Sequence, residues 1–356
     1  MIDAYPSTTW VNRSHRRLAT TTLNRNRTLK PYIDTADDLL IFGKRLGRNE
    51  SGNANNAKKQ KAGNLSMPNL ENWFFRYNAW SYSKHRLFDL CKRSFYYRYI
   101  GTALKESKDF DIYKLKRLKD LNSKFALEGL LIHSVIENQI GQHYIGRDLN
   151  EDGAKAQFVQ RVEQYRKTAR DTLTEFYNGL PADDAFFDQI RDGGQDKISM
   201  FFGAIWPQVK DLEYLKHEDF DKFKIDDVEV IVKVDYVSRT KNEVIVITDW
   251  KTGADNVEYE SDLQIGTYVL WAMQYYQKDP TQIRSELAYL KTGMMHPYEF
   301  SPDDLEKIRV TILDDFEKMN ASYEIADFLA SPEPRKCMSC QFGGFCPEST
   351  IKTLLN

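Results

Sequence analysis

Three residues of this chain are spaced for chemistry on a shared surface: Asp235, Asp249 and Lys251. Asp249 and Lys251 end the apolar run EVIVITDWK, and Asp235 lies within VEVIVKVDYVS. Both runs are rich in Val and Ile and are joined by the polar stretch from Arg239 to Asn242, which predicts a β-hairpin between two buried strands. A turn centred near Asn242 sets Asp235 and Asp249 directly opposite one another, with Cβ atoms about 5 Å apart. A slip of one residue in that register would turn a whole face. Strand period two puts Asp249 and Lys251 on the same face.

Two acids and a lysine at the end of such apolar strands are expensive to bury without a purpose. The chemistry that needs this trio is hydrolysis of a phosphodiester. A divalent cation holds the phosphate and lowers the pKa of an attacking water, and hard oxygen ligands suit Mg²⁺ or Mn²⁺. Asp235 and Asp249 supply such oxygens, and Lys251 orients the water or stabilises charge on the phosphate. A bare Asp-x-Lys also fits an incidental salt bridge at a hairpin end. The buried strand before it and the facing aspartate are what set this one apart.

Other residues could complete the constellation. His133 and Glu137 are four apart on one face of a predicted helix, Leu127 to Ile140. An imidazole beside two carboxylates makes a metal site and tilts it towards Mn²⁺, although a lone histidine also fits a satisfied buried residue. Gln264 and Tyr268 are four apart on the helix expected from Ser261 to about Gln277. They could contact phosphate or base, or be ordinary polar positions of an amphipathic helix.

The four cysteines are Cys91, Cys337, Cys340 and Cys346. With no secretion signal, disulfides are not expected, and Cys337-x2-Cys340 with Cys346 and a distant Cys91 fits an iron–sulfur cluster or a tetrahedral zinc. Buried free thiols are the third option. A metal held by all four would close a loop of roughly 250 residues and stabilise the fold.

The elements that must position these groups follow from composition and pattern. The chain has 356 residues with 41% hydrophobic content and a net charge of -2. A real core can form, and no global positive field marks a purely electrostatic nucleic-acid binder. No apolar run is long enough to span a bilayer. The expected location is cytoplasmic, with organellar import through the basic N-terminus as the alternative. Residues 1–68 read as a basic, disordered tail, with low-complexity sequence from Arg48 to Gly63.

Residues 69–127 read as a helical region holding Cys91. A single helix is expected from Ser83 to Ile100, whose Lys92, Arg93, Phe95, Tyr96, Tyr97, Arg98 and Tyr99 suit either a single-strand grip or an aromatic core face. Residues 128–330 hold the α/β core, with a helical insertion at about 151–215 broken at Gly179-Leu180-Pro181 and at Gly193-Gly194. Beyond it come a strand from Glu286 to Lys291 and a helix from Asp303 to Leu329, and residues 331–356 carry the cysteine knuckle.

These motifs, in this order, resemble the RecB-like branch of the PD-(D/E)XK nucleases, which includes the AddB nuclease and the CRISPR-associated nuclease that trims spacers. CKRSFYYRYIG resembles the opening of that branch, Gly129-x3-His133-x3-Glu137 its G-x3-H-x3-E helix, Asp249-Trp250-Lys251-Thr252-Gly253 its D-Y-K-T-G strand end, and Gln264-x3-Tyr268 its Q-x3-Y helix. Lys92 departs from the proline usual after the first cysteine, and Val232 from a glycine common before the first aspartate.

The resemblance implies a restriction-endonuclease-like central mixed sheet flanked by helices, with a cluster region joining both ends. It implies a catalytic metal on His133, Asp235, Asp249 and the carbonyl of Trp250, with Lys251 as the catalytic lysine and Gln264 and Tyr268 beside it. It also implies a [4Fe-4S] cluster on Cys91, Cys337, Cys340 and Cys346.

Two functions are therefore expected in turn. The first is a Mg²⁺- or Mn²⁺-dependent deoxyribonuclease acting on single strands or free ends, an exonuclease of repair, recombination or CRISPR-like processing. The second is a catalytically silent DNA-binding adaptor with a structural cluster or zinc. Because no G-x4-G-K-[ST] motif is present, a helicase motor would have to come from a separate partner.

Overall fold

The computed structural model describes residues 79–253 and 262–351. The tail expected over residues 1–68 lies outside the described residues. Five strands form one mixed sheet in the order β1-β2-β3-β4-β5: β1 (Glu213–Ile225), β2 (Val228–Arg239), β3 (Ile245–Lys251), β4 (Ile283–Tyr289) and β5 (Met294–Tyr298). All neighbours are antiparallel except β3 and β4. A parallel pair needs a crossover, and the helix α7 (Asp262–Tyr276) lies in it. The chain is thus an α/β protein with a five-stranded mixed sheet flanked by helices, the arrangement of a restriction-endonuclease-like fold. No described helix is long and apolar enough to cross a membrane.

The hairpin forms in the expected register. Tyr236 pairs with Thr248 and Arg239 with Ile245, which is the alignment a centre at Asn242 demands. The turn closes through Glu243 N–H to Thr240 O (3.0 Å) and Thr240 N–H to Val244 O (2.9 Å). Glu243 takes the left-handed conformation, φ 64°, the position of a bulged three-residue hairpin loop usually given to glycine.

Two apolar clusters are built on the sheet. One gathers Val230, Val232, Ile245, Ile247 and Leu287 with Ile265, Trp271 and Ile308. These helical residues come from α7 and from α8 (Pro302–Asn320). The other gathers Tyr236, Trp250 and Ala288 with Leu131, Ile132, Phe158, Phe187 and Phe201. Its helices are α4 (Lys124–Tyr144), α5 (Glu151–Lys167) and α6 (Asp184–Met200), with the π-turn Phe201–Ile205.

Several expectations change in the structure. The helix foreseen over Ser83 to Ile100 is broken. It runs as α1 (Tyr82–Leu90), then α2 (Lys92–Phe95) continuing into a π-helical turn, Tyr96–Ile100. Cys91 between them is extended (φ -167°, ψ 106°), and its N–H still bonds Leu87 O at 3.0 Å. The aromatic stretch is largely core: Phe95, Tyr96 and Tyr97 are buried, with Arg98 buried beside them. The buried guanidinium is satisfied by Lys119 O and Gln341 Oε1 at 3.0 and 3.1 Å. This region continues through α3 (Ile112–Leu118).

Gly179-Leu180-Pro181 does interrupt the helices, but Gly193-Gly194 does not, because both lie inside α6. A Cβ at Gly194 would sit 2.0 Å from Cζ of the fully buried Phe158. Glycine here answers to close helix packing rather than to a turn. We expect Gly194→Ala to destabilise the protein by about 2 kcal/mol net, since overpacking at a rigid ring exceeds the helix propensity regained. Chemical denaturation with an unchanged slope checks it.

The helix expected to reach Leu329 ends at Asn320, and the strand expected from Glu286 begins at Ile283. The largest addition is β1. Its sequence EYLKHEDFDKFKI carries charges on both faces and no apolar alternation, so it was not expected as a strand.

Candidate active site

The site forms where the ends of β2 and β3 meet α4, α7 and β1. Asp235 and Asp249 come from the two arms of the hairpin and are both buried, as are Lys251, His133 and Gln264. The Asp235 carboxylate accepts the Trp250 N–H at 2.7 Å through Oδ2. Its Oδ1 lies 3.4 Å from His133 Nδ1. Trp250 contributes main chain alone: its ring packs away, edge-on to Phe201 at 5.5 Å and tilted on Tyr236 at 5.8 Å. Alternation along β3 therefore turns Asp249 and Lys251 to the face opposite Trp250.

Lys251 Nζ lies 2.7 Å from Asp249 Oδ2 and donates to Gln264 Oε1 at 2.8 Å. Gln264 Nε2 in turn donates to the Tyr268 hydroxyl at 2.9 Å. The two α7 residues and the lysine thus form one hydrogen-bonded line from β3 outwards. Their four-residue spacing places Gln264 and Tyr268 on one face of α7. That helix can lie close because Gly266 offers no side chain to Ile308 of α8, where a Cβ would come within 2.1 Å of Cδ1.

One acid had no signal in the sequence. Glu218 of β1 lies opposite Asp235 in the β1/β2 ladder, whose pairs His217/Tyr236 and Asp219/Val234 flank the two. Its backbone is left-handed, φ 50°, a costly conformation for a non-glycine residue. It lies just beyond a register shift between Tyr214 and Lys216. Its Oε1 is 3.4 Å from His133 Nδ1, and its other oxygen pairs with Lys233 of β2. His133, Glu218 and Asp235 each offer a ligand atom, and these atoms lie within 4.8 Å of one another. The tight acid–histidine group therefore includes Glu218, while Asp249 faces Lys251. Glu137, the other acid foreseen on α4, is only half-buried and is not in that group.

The donor set fits a divalent cation. It combines hard carboxylate oxygens with one imidazole, and His133 Nε2 is buried and makes no hydrogen bond among the described residues. Burial pulls the His133 pKa down, but the charge of Asp235 and hydrogen bonding to Asp235 and Glu218 outweigh it, so the imidazolium is favoured well above its ordinary range. Burial pushes Glu218 up, yet His133 and Lys233 together hold it below the usual carboxylate value.

A metal ion would have to displace the His133 proton. Since Asp235 and Glu218 raise the folded value, proton and metal ion compete for the imidazole, and the competition eases as pH rises. We therefore expect Mn²⁺ affinity to rise by several-fold or more from about pH 6 to pH 8, as titration calorimetry in two buffers would read. The imidazolium's contribution to the stability of the ion-free protein runs oppositely: it is fully present below the unfolded value and fades as pH rises through the folded one.

The cysteines meet at the far end of the aromatic region. Cys91, Cys337, Cys340 and Cys346 all line one cavity of about 110 Å³. Ser331 N–H points at Cys91 Sγ (3.5 Å), Ser94 Oγ approaches Cys340 Sγ (3.6 Å), and Cys346 Sγ contacts Glu348 Oε2 (3.2 Å). Burial pushes the Cys340 thiol up to about 11. For Cys346, burial and the Glu348 carboxylate push it up to about 12. Ionised sulfurs there call for a cationic partner.

The knuckle begins at the short helix α9 (Pro334–Ser339). It is clamped by Asn178, which lies between α5 and α6 and whose Nδ2 donates to Met338 O and Cys340 O at 2.9 and 3.0 Å while its Oδ1 accepts Gly344 N–H at 2.8 Å. Arg93, two residues after Cys91, ties the other side to Glu348 at 2.5 Å and to Phe328 O at 2.9 Å.

A family model of the PD-(D/E)XK nuclease superfamily matches residues 79–347. The chain belongs to this superfamily. The match spans the whole sheet, the acid–histidine group and the cysteine knuckle. Membership makes the protein a metal-dependent nuclease by class, a phosphodiester hydrolase of a superfamily that uses divalent ions such as Mg²⁺ or Mn²⁺. No curated protein matches the chain. Among solved structures, one described as "Crystal structure of SSO0001" aligns with 13% identity over 62% of this chain and 97% of its own, at a TM-score of 0.28.

Proposed function

We propose that this member of the superfamily is a deoxyribonuclease that cleaves single-stranded DNA or DNA ends, working as an exonuclease in repair, recombination or CRISPR-like processing. The observation that carries the reading is the buried meeting of His133, Glu218 and Asp235 next to an intact Asp249–Lys251 pair. A degenerate, purely binding relative has no need to keep five such groups in apolar surroundings.

His133, Asp235 and Asp249 with the Trp250 carbonyl would hold the catalytic ion, and Glu218 lies close enough to share it. When bound, the ion supplies a Lewis acid for the phosphate and an acidified water. The protein does the rest. Trp250 N–H fixes one Asp235 oxygen, leaving the other directed at His133. Lys251 is held at two points, by Asp249 and Gln264. Its ammonium is thereby positioned to stabilise negative charge as it develops on the phosphate, and its preorganisation avoids a reorganisation cost during reaction. Tyr268 braces Gln264 in turn.

The four cysteines bind a [4Fe-4S] cluster in this reading. What supports it is that all four cysteines line one cavity of about 110 Å³, and that thiolates are the ligands such a cluster takes. Anaerobically purified protein should be brown, with broad visible absorbance that bleaches on reduction. Stoichiometric zinc without iron would refute the cluster.

The nuclease reading is tested by incubating end-labelled single- and double-stranded DNA with Mg²⁺ or Mn²⁺. Ion-dependent cleavage of single strands or ends is expected. A cluster-intact protein that binds DNA and cleaves none of it would instead be the silent adaptor. A helicase partner, if the pathway needs one, would have to be recruited.

A further inference from the structure

A second cleft adjoins the metal centre. It has a volume of about 80 Å³ and is lined by the first turn of α1 (Ser81 to Lys84), by Tyr99 and Phe220, by Ile231 to Lys233 of β2, and by Thr267 and Tyr268 of α7. Its walls combine aromatic rings with two ammonium groups. Lys233 Nζ lies 5.7 Å from the centre of the Phe220 ring, and Lys84 Nζ lies 5.4 Å from that of Tyr99. Phe220 is 43% exposed although it sits on a strand between charged neighbours. A large apolar ring placed there serves no core.

The register ties this cleft to the chemistry. Phe220 pairs with Lys233 across β1 and β2, two residues along each strand from Glu218 and Asp235. That offset is one strand period, about 7 Å, so the aromatic–lysine pair is displaced from the acid pair by roughly one nucleotide of an extended strand. Lys233 bridges the two directly through its ion pair with Glu218. Tyr268 does so from the other side, since it lines the cleft and ends the hydrogen-bonded line from Lys251.

We infer that this cleft holds an unpaired nucleobase of the substrate strand, next to the phosphate at the metal centre, and that it is the element selecting single-stranded over duplex DNA. The inference rests on the proposed nuclease reading. Aromatic faces stack on any base without reading sequence, and the Lys84 ammonium beside Tyr99 attracts an adjoining phosphate, while the Lys233 charge is paired with Glu218. A base still paired in a duplex cannot enter the cleft that Phe220 and Tyr99 line, so selection needs no contact with the complementary strand.

The test uses the full chain with its metal and its cysteine site loaded. Single-stranded oligonucleotides carry one abasic position, moved stepwise past a mapped cleavage point. For the wild-type protein, one abasic position beside the cut phosphate should reduce cleavage there about tenfold, the loss expected of one stacked base. For Phe220→Ala and Tyr99→Ala, intact single strands should be cut about tenfold less well through a raised KM, and the abasic substitution at that position should cost little more.

Binding of a fluorescent single strand and of a blunt duplex to the Lys251→Ala background gives a readout independent of cleavage. There Phe220→Ala should weaken the single strand and leave the duplex unchanged. An abasic scan without position dependence, or Phe220→Ala and Tyr99→Ala variants with unchanged single-strand affinity and melting temperature, would overturn the inference. Either result could occur with cleavage intact. Failure of wild-type protein to cut any DNA would instead overturn the nuclease reading, while the binding arm would still decide the cleft.

Discussion

Lys251→Ala should lower the rate of DNA cleavage by at least about 10²–10³-fold, the loss typical of removing one preorganised donor from a reacting oxyanion. The direction follows from the two-point hold on its ammonium, by Asp249 at 2.7 Å and Gln264 at 2.8 Å. Such a hold fixes one position for the charge and excludes the others. The cation is also buried, in a medium where charge interactions act more strongly than in water.

Lys251→Arg should not restore the rate, because a planar guanidinium cannot occupy the place of a compact ammonium between a carboxylate and an amide. The effect should fall on kcat with DNA affinity nearly kept, as expected for an interaction made chiefly in the transition state. Single-turnover cleavage together with a binding isotherm separates the two. A melting curve verifies that the variant stays folded.

Removal of the group held by the cysteines should produce the largest loss of stability. In the proposed reading it would tie Cys91 of the aromatic region to Cys337, Cys340 and Cys346, which line one cavity, across roughly 250 residues. A cross-link closing a loop of that length contributes about 5 kcal/mol in the chain-entropy picture. For a domain of this size that corresponds to a fall in Tm of roughly 10–20 °C.

Asn178, Arg93 and Glu348 would remain to hold the knuckle, so the loss should be large without being total. Cys340→Ser is the sharpest variant, because that thiol lies in the shared cavity against Ser94 and burial pushes its pKa up. Scanning calorimetry of the as-isolated, chelator-treated and Cys340→Ser proteins reads the effect. The acids and lysine of the active site lie on other elements, so any loss of cleavage should follow the loss of folded protein.

Much of the site was legible before any fold was known, and the reason is local. Asp235, Asp249 and Lys251 sit in strands whose Val and Ile content announces burial, and the short polar connection fixed their register. The ladder has that register. Gln264 and Tyr268 were legible as a spacing on a helix; only the fold brings them to Lys251.

Glu218 was illegible because its strand is not amphipathic in the usual sense. Lys216, Glu218, Asp219 and Asp221 look like a solvated charge run, and the left-handed backbone at Glu218 breaks the alternation that sequence patterns rely on. The break at Cys91 was hidden for a different reason. Helical spacing runs on through CKRSFYYRYI, while the chain gives up one helical residue at the cysteine. Gly194 misled by its type, since glycine marks a turn in sequence and here marks the seat of Phe158.

The most direct measurement is a time course on end-labelled single-stranded and duplex DNA with Mn²⁺, with Mg²⁺ and with excess chelator, run in parallel for the wild-type and Lys251→Ala proteins. The account predicts that the wild-type protein shortens single strands or ends with either ion, stops when the ion is chelated, and loses this activity with Lys251. Cleavage that persists in chelator or in Lys251→Ala, or no cleavage of any substrate by folded, ion-loaded protein, would contradict it.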